Sequence, residues 1–183
     1  MIVWTEQRPD FVRRPIDLLV AGLPFTVACA VALPIGRTPK VLVGSTVMQG
    51  VLDHLKERNV EMGGLLLGAA YDGLWGSDDI VIAVTDFAGS MEFDSTHVSL
   101  RMDPDVWERA RLQSTGTSAV VGWYHSHPNL GAFFSGTDRK TQRGFFNQPH
   151  SLGLVIDPIR LEEMWFVGAD STRLDASQIL RYF

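Results

Sequence analysis

The stretch that decides the fold of this 183-residue chain is Gly122–Asp138, which reads GWYHSHPNLGAFFSGTD. An apolar run leads into two histidines that are two residues apart, His125 and His127. Side chains two apart on an extended strand point to the same side, so both imidazoles can face one point. Asp138 follows a short loop, in the first turn of a predicted helix, and can bring a carboxylate to the same point.

Two neutral imidazoles and one carboxylate are the ligand set of an open, catalytic zinc site whose fourth position is left to water. Each part also has a simpler interpretation. A histidine pair at a strand end is usually polar surface. The pattern from Ser135 to Asp138 is also a capping box, which needs no metal, and a helix dipole favours Asp138 at that place in any case. The joint occurrence of these parts, next to Pro128, favours the metal site.

The pattern H-x-H-P, a loop, then S-x-x-D resembles the signature of the JAMM (MPN-plus, or JAB) zinc metallopeptidases, which also have a glutamate upstream on a strand. Glu61, in the segment 61–68 (EMGGLLLG), matches that glutamate. The resemblance extends from about residue 41 to residue 167, and residues 1–40 lie outside it. The pair Thr141-Gln142 and the segment 155–158 (VIDP) resemble the eukaryotic proteasome-lid and signalosome members.

The resemblance implies a role for each matching residue. His125, His127 and Asp138 would hold one Zn²⁺ per chain, and zinc would lower the pKa of its bound water to about 7. Glu61 would act as general base and then as general acid. Ser135 would donate a hydrogen bond to the oxyanion. The implied fold is α+β, with a mixed central sheet flanked by helices, as in the cytidine-deaminase-like architecture.

The implied activity is that of a zinc isopeptidase or peptidase that cleaves after the C-terminus of a ubiquitin-like protein, whose tail binds in a groove as an added strand. Phe133 and Phe134, in the loop between the ligands, either line that groove or pack the loop down. One alternative is a hydrolase of the same family that releases a small amine or amino acid from a carrier protein. Another is a non-catalytic scaffold, or an enzyme that a partner protein activates, with the irregular segment 88–100 as a gate. The compact size suggests a stand-alone prokaryotic member, a kind that also occurs in phage defence.

Composition restricts the other possibilities. Hydrophobic residues are 45% of the chain and charged residues 20%, as in soluble globular domains. The net charge of -5 argues against a nucleic-acid partner. The single cysteine, Cys29, allows no internal disulfide, so we expect a cytoplasmic protein with a buried, inert thiol. The uncharged run 18–36 resembles a signal peptide or short membrane span, but Pro24 and Pro34 interrupt it, and we expect soluble core instead.

The resemblance implies an N-terminal extension, residues 1–40, packed on a JAMM/MPN-plus metallopeptidase domain, residues 41–183, with a single globular domain overall. Hydrophobic periodicity then predicts the elements. A buried strand is expected over residues 25–33, and a helix over 46–58 with a capping box from Thr46 to Gln49. A further helix begins at Asp103-Pro104 and places Val106, Trp107 and Ala110 inward; another covers 136–146. Other strands are expected at 41–43, 61–70, 80–87, 119–124, 152–156 and 164–167, and the tail 171–183 is left unassigned. The remaining histidines, His54, His97 and His150, are expected at the surface or partly buried.

Overall fold

The computed structural model describes residues 13–33, 38–57, 60–74, 76, 79–90, 104–114 and 118–183. Its helices are α1 (Asp17–Val20), α2 (Phe25–Ala32), α3 (Ser45–Lys56), α4 (Pro104–Gln113) and α5 (Gly136–Phe145), with a short 3₁₀ helix at Ala176–Gln178. Its strands are β1 (Arg14–Pro15), β2 (Lys40–Gly44), β3 (Gly63–Asp72), β4 (Ile80–Gly89), β5 (Ala119–Ser126), β6 (Leu152–Asp157), β7 (Glu162–Val167), β8 (Thr172–Arg173) and β9 (Ile179–Tyr182).

The strands form one mixed sheet in the order β8-β7-β6-β5-β3-β4-β2-β9, and β1 pairs with the far end of β3. Strand β5 lies between β3, to which it is antiparallel, and β6, to which it is parallel. Strand β2 is parallel to both β4 and β9. The mixed sheet with flanking helices confirms the predicted α+β class.

Apolar side chains cover both faces of this sheet. On one face, Met48, Val51 and Leu55 of α3 belong to the largest hydrophobic cluster, together with Tyr124 of β5. On the other face, Trp123 of β5 belongs to a second cluster. Its remaining buried members include Val106, Ala110, Phe134, Phe146 and Phe166. Alternation along β5 therefore sends its neighbouring side chains into two different cores.

The predicted strand over residues 25–33 is wrong, because these residues form helix α2. Pro24 occupies the position before its first turn, where a missing N–H costs nothing. At the other end, the buried Lys40 ammonium donates hydrogen bonds to the carbonyls of Ala30, Val31 and Leu33. These acceptors would otherwise lack partners at a helix C-terminus. Since Lys40 belongs to β2, the bonds attach α2 to the sheet.

Helices α1 and α2 pack on a third cluster, formed with β2, β3 and β4. Ile16 and Val31 are its buried members from the N-terminal segment. Cys29, which was expected to be buried, is only half-buried. The division of the chain at residue 40 stays a prediction. Within the described residues, every helix is too short or too polar to cross a membrane.

Several local predictions need correction. Helix α3 begins at Ser45 after Gly44, and no side-chain hydrogen bond caps it, so the Thr46 capping box is wrong. Trp107 was expected inward but is 41% exposed, with one face stacked on Phe146. His54 and His150 were expected at the surface or partly buried, and both are buried. The segment 88–100 was expected to be irregular, but Ala88 and Gly89 belong to β4. Residues 91–100, with His97, and the predicted helix start at Asp103 lie outside the described residues.

Candidate metal centre

The two histidines of the pattern lie where strand β5 ends. His125 is the second-last residue of the strand, and the backbone N–H of His127, just beyond it, donates to the carbonyl of Ile156 at 2.9 Å. This bond continues the pairing with β6 past the end of the strand. Both imidazoles are buried, with 1% and 5% of their surface exposed. Their environment contradicts the interpretation as ordinary polar surface at a strand end.

Asp138 is placed by the first turn of α5. Its backbone N–H donates to the Ser135 hydroxyl oxygen at 3.2 Å, and its Oδ2 accepts the Ser135 backbone N–H at 2.6 Å. This is the predicted capping box. The reciprocal bonds fix the carboxylate against the helix N-terminus and direct it towards β5. The capping role and a metal role are therefore compatible, since one carboxylate oxygen, Oδ1, takes no part in the cap.

The three side chains converge on one point. The two Nε2 atoms of His125 and His127 are 3.1 Å apart; Asp138 Oδ1 lies 3.3 Å from the first, and Oδ2 lies 3.7 Å from the second. Ligand atoms at zinc distances from a tetrahedral ion are about 3.3–3.5 Å apart. The donor set is two imidazoles and a carboxylate, and the three ligand atoms lie within 4.8 Å of one another. These residues therefore fit a zinc ion in both chemistry and spacing.

Electrostatics favour the protonation states that a metal needs at two of these groups, His127 and Asp138. Burial lowers the pKa of His127, and the neighbouring His125 lowers it further, although Asp138 and Glu61 oppose both effects. Burial raises the pKa of Asp138, but hydrogen bonds and charge from His125 and hydrogen bonds from Ser135 outweigh it and lower the value to about 2. At neutral pH the carboxylate is ionised and His127 is neutral.

Glu61 lies two residues before strand β3. Gly63 pairs with His125 in the antiparallel register. Met62 then forms two hydrogen bonds with Ser126: its carbonyl accepts the Ser126 backbone N–H at 2.7 Å, and its own N–H donates to the Ser126 side-chain hydroxyl at 3.0 Å. The same register sets Glu61 opposite His127, on the face that carries both imidazoles. The half-buried Glu61 acts electrostatically on His127.

Close approach of these two strands depends on Gly63. A Cβ atom at this position would lie 2.4 Å from the Tyr124 carbonyl oxygen and 3.1 Å from the His125 Cβ. No side chain fits there without separating β3 from β5. The glycine after Met62 therefore sets how near the Glu61 carboxylate comes to the imidazoles.

Comparison with known proteins agrees with this geometry. Residues 45–167 match a family described as prokaryotic homologs of the JAB domain. This chain belongs to the JAB domain family. The matched segment runs from the first residue of α3 to the last residue of β7, and it includes all five predicted site residues.

Curated relatives of this JAB domain include subunits of large complexes. This chain is 32% identical over 140 residues to the 26S proteasome regulatory subunit RPN11 of Eremothecium gossypii. The aligned region covers 73% of this chain and 43% of the relative. Ubiquitin carboxyl-terminal hydrolase RPN11 of Saccharomyces cerevisiae is 35% identical over 126 residues, covering 66% of this chain and 39% of the relative. COP9 signalosome complex subunit 5b of Arabidopsis thaliana is 37% identical over 108 residues, covering 55% of this chain and 28% of the relative. This chain thus spans less than half the length of these relatives.

A solved structure has a similar fold. The solution structure of a Desulfitobacterium hafniense protein matches with a TM-score of 0.53 and 21% identity, covering 78% of this chain and 92% of that chain. At this identity, the likeness bears on the fold alone.

The loop between the ligands of the JAB domain separates its two phenylalanines. Phe134 is buried, and its ring stacks on Phe166 with centroids 3.9 Å apart, so it packs the loop down. Phe133 is 45% exposed, and its ring centroid lies 4.8 Å from that of His127. Of the two alternatives for these residues, core packing describes Phe134, whereas Phe133 is available at the edge of the site.

Asp157, to which the sequence patterns assign no role, anchors this loop. Its buried carboxylate accepts the backbone N–H groups of Asn129 and Gly131 in the loop, at 3.1 and 2.7 Å. It also accepts those of Ile159 and Arg160 in the turn after β6, at 2.9 and 3.1 Å. Burial raises the pKa of Asp157, but these four bonds outweigh it and lower the value to about 2. The only signal in the sequence was the resemblance of the segment 155–158 to other family members.

Proposed function

We propose that this JAB domain is a zinc-dependent isopeptidase or peptidase that cleaves after the C-terminus of a ubiquitin-like protein. The observation that carries the proposal is the buried triangle of His125, His127 and Asp138, which fits a zinc ion in donor type and spacing. A non-catalytic scaffold would not need this complete set of ligands or the glutamate set opposite it. Polar groups that are buried together without a function are costly to a fold.

In this proposal His125, His127 and Asp138 hold one zinc ion per chain. Zinc in such a site acts as a Lewis acid and lowers the pKa of water to about 7. The capping box with Ser135 keeps the Asp138 carboxylate ionised and directed at the imidazoles. The ligands thus require no conformational change to receive the metal.

Glu61 and Ser135 carry the remaining steps. The Glu61 carboxylate, on the same face as both imidazoles, accepts a proton from the attacking water and passes it to the leaving amine. The Ser135 hydroxyl oxygen accepts the Asp138 N–H, so its own proton is available to the oxyanion of the substrate carbonyl. This places a proton acceptor just before β3 and a hydrogen-bond donor on the facing helix terminus.

The proposed substrate class rests on two points. One relative carries the name ubiquitin carboxyl-terminal hydrolase, and the region of similarity includes the ligand pattern. The second point is the exposed Phe133 ring beside His127, which offers an apolar contact for an extended tail. A cytoplasmic location belongs to the same proposal. Activation by a partner protein is the alternative in which the purified chain binds zinc but does not cleave until the partner is added.

The test combines metal analysis with an activity assay. Purified protein is analysed for zinc and then incubated with a ubiquitin-like protein fused through its C-terminus to a reporter, before and after chelation. A sulfur-carrier protein with a small amine on its C-terminus is assayed in parallel. We expect about one zinc per chain and chelator-sensitive release of the reporter. Cleavage of the carrier conjugate alone would assign the alternative substrate class, and absence of zinc from the folded protein would overturn the proposal.

A further inference from the structure

The plane of the His125 ring is set by a neighbouring tryptophan. Trp123 and His125 are two residues apart on β5, and their rings are stacked with centroids 4.7 Å apart and an angle of 6° between the planes. Histidines that bind metals are usually oriented by a hydrogen bond from the second ring nitrogen. The buried Nδ1 of His125 makes no hydrogen bond to the residues that the structure describes. The flat contact with the indole face therefore restricts rotation of the imidazole, beside the contacts of its Nε2 with His127 and Asp138.

The indole is itself fixed by Gln142. The Trp123 Nε1–H donates to Gln142 Oε1 at 2.6 Å. The amide nitrogen of Gln142 donates to the backbone carbonyls of Phe146 and Ser151, both at 3.0 Å. These two acceptors determine which way the amide faces, so its oxygen must point at the indole. Gln142 and Trp123 have no measurable exposed surface, and a bond between them in this setting is costly to break.

Gln142 and Asp138 share one face of helix α5, because residues four apart on a helix lie above one another. Helix α5 therefore meets β5 at two points. Asp138 lies 3.3 Å from His125, and Gln142 binds Trp123 one turn further along. The second contact fixes both the distance and the rotation of the helix relative to the strand.

We propose that Trp123 and Gln142 are positioning residues for the metal centre, which hold the His125 ring plane and the Asp138 carboxylate in the geometry that zinc requires. The inference rests on the proposed zinc site. It assigns to this buried pair a role beyond packing, since the pair connects the two elements that supply the ligands.

The test compares three variants. Trp123→Phe keeps an aromatic face but removes the N–H donor, and Gln142→Met keeps the approximate volume but removes all three hydrogen bonds. The matched control is Trp165→Phe, since Trp165 is also buried and donates its Nε1–H to Glu163, at 3.2 Å, in another part of the core. For each protein, zinc affinity is measured by competition with a chromophoric chelator, the visible spectrum of the Co²⁺-loaded form is recorded, and the metal-free protein is unfolded with urea.

We expect Trp123→Phe and Gln142→Met to lower zinc affinity by about 10–100-fold and to change the Co²⁺ spectrum. Trp165→Phe should lower stability towards urea without either effect. If the Trp123 variant keeps the affinity and spectrum of the wild type, or if the control loses affinity equally, the positioning role is wrong while the zinc site stands. A wild-type protein that binds neither metal would overturn the proposed function as well.

Discussion

Glu61 differs from the other predicted site residues in what connects it to them. The ligands are linked by short contacts between their own side chains, whereas Glu61 depends on the register of β3 against β5 and on Gly63. We therefore expect that the proposed role of Glu61 as proton acceptor can be removed without loss of metal binding.

Replacement of Glu61 by glutamine should leave zinc content unchanged and lower the cleavage rate by about 10²–10⁴-fold, because the amide cannot accept the proton. Zinc is measured by elemental analysis and the rate with the reporter fusion. Glu57→Gln, at the exposed end of α3, is the control and should cleave at the wild-type rate. A Glu61 variant with wild-type activity would exclude this residue as the general base.

Residue patterns predicted which residues lie together in the candidate site where several requirements on residue type and spacing coincide. His125, His127 and Asp138 were predicted together because strand period and helix start each restrict where a side chain can point. The structure brings these three together. Asp157 was not predicted because an aspartate before a proline has many ordinary interpretations, and its four backbone partners come from two different loops.

At the scale of elements, the loop between the ligands and the turn after β6 form one unit around Asp157. The carboxylate bonds to Asn129 and Gly131 on one side and to Ile159 and Arg160 on the other. Gly131 adopts a positive φ of 90°, which L side chains rarely adopt, so the loop also requires a glycine at this point.

Substitution of Asp157 by asparagine should lower the thermal unfolding midpoint at pH 7, because a neutral amide replaces an acceptor of four N–H groups. The pKa of Asp157 is about 2 in the folded protein, compared with about 3.9 in unfolded chains. The ionised carboxylate thus stabilises the fold above about pH 4, and this contribution is lost as the pH falls towards 2.

The difference in thermal unfolding midpoint between the wild type and Asp157→Asn should therefore become smaller as the pH is lowered from 5 to 3. Asp138 also has a lowered pKa, so some acid sensitivity remains in the variant. Asp170→Asn, at an exposed position in the turn after β7, serves as the control and should leave the profile unchanged. A constant difference between variant and wild type across this range would contradict the assignment.

The error over residues 25–33 has a physical reason. A short apolar run with β-branched residues has no periodicity that separates a strand from a buried helix. Lys40 favours the helix, because its buried ammonium donates hydrogen bonds to carbonyls at the end of α2. This contact joins residues that the local pattern cannot relate. The pairing of β9 with β2 was missed for the same reason, because it connects residues 41–44 with residues 179–182, which are far apart in sequence.

Replacement of Lys40 by methionine should destabilise the protein by about 1–3 kcal/mol, because buried carbonyls at the end of α2 lose their donor. Urea unfolding measures the loss of stability. Relative to the wild type, amide hydrogen exchange in the variant should become faster in α2 and change less in β5. Lys56→Met, at an exposed position in α3, is the control. Unchanged exchange in α2 would show that Lys40 does not hold this helix.

At the scale of the whole molecule, the proposed zinc site joins β5 to α5 and lies next to β3. A ligand that binds the folded state alone stabilises it by mass action, by about 2.7 kcal/mol at a concentration of 100 Kd. For a chain of this size, that corresponds to a rise of roughly 5–10 °C in the unfolding midpoint.

In the wild type, the thermal unfolding midpoint measured with zinc should lie above the midpoint measured with chelator by roughly 5–10 °C. His127→Ala removes one ligand, so its two scans should nearly coincide. His54→Gln is the matched control, since this buried histidine binds Tyr124 and Ser90 on the opposite face of the sheet. An equal response to zinc in wild type and His127→Ala would place the metal elsewhere.

The position of β5 between β3 and β6 also bears on how the protein is made. During synthesis, β3 leaves the ribosome before β5, whereas β6 follows it. Until then, one edge of the histidine-bearing strand is unpaired, and the His127 N–H lacks the Ile156 carbonyl that receives it. In a nascent chain that ends before β6, this hydrogen bond cannot form, so the two imidazoles reach their final arrangement only once most of the domain has been translated.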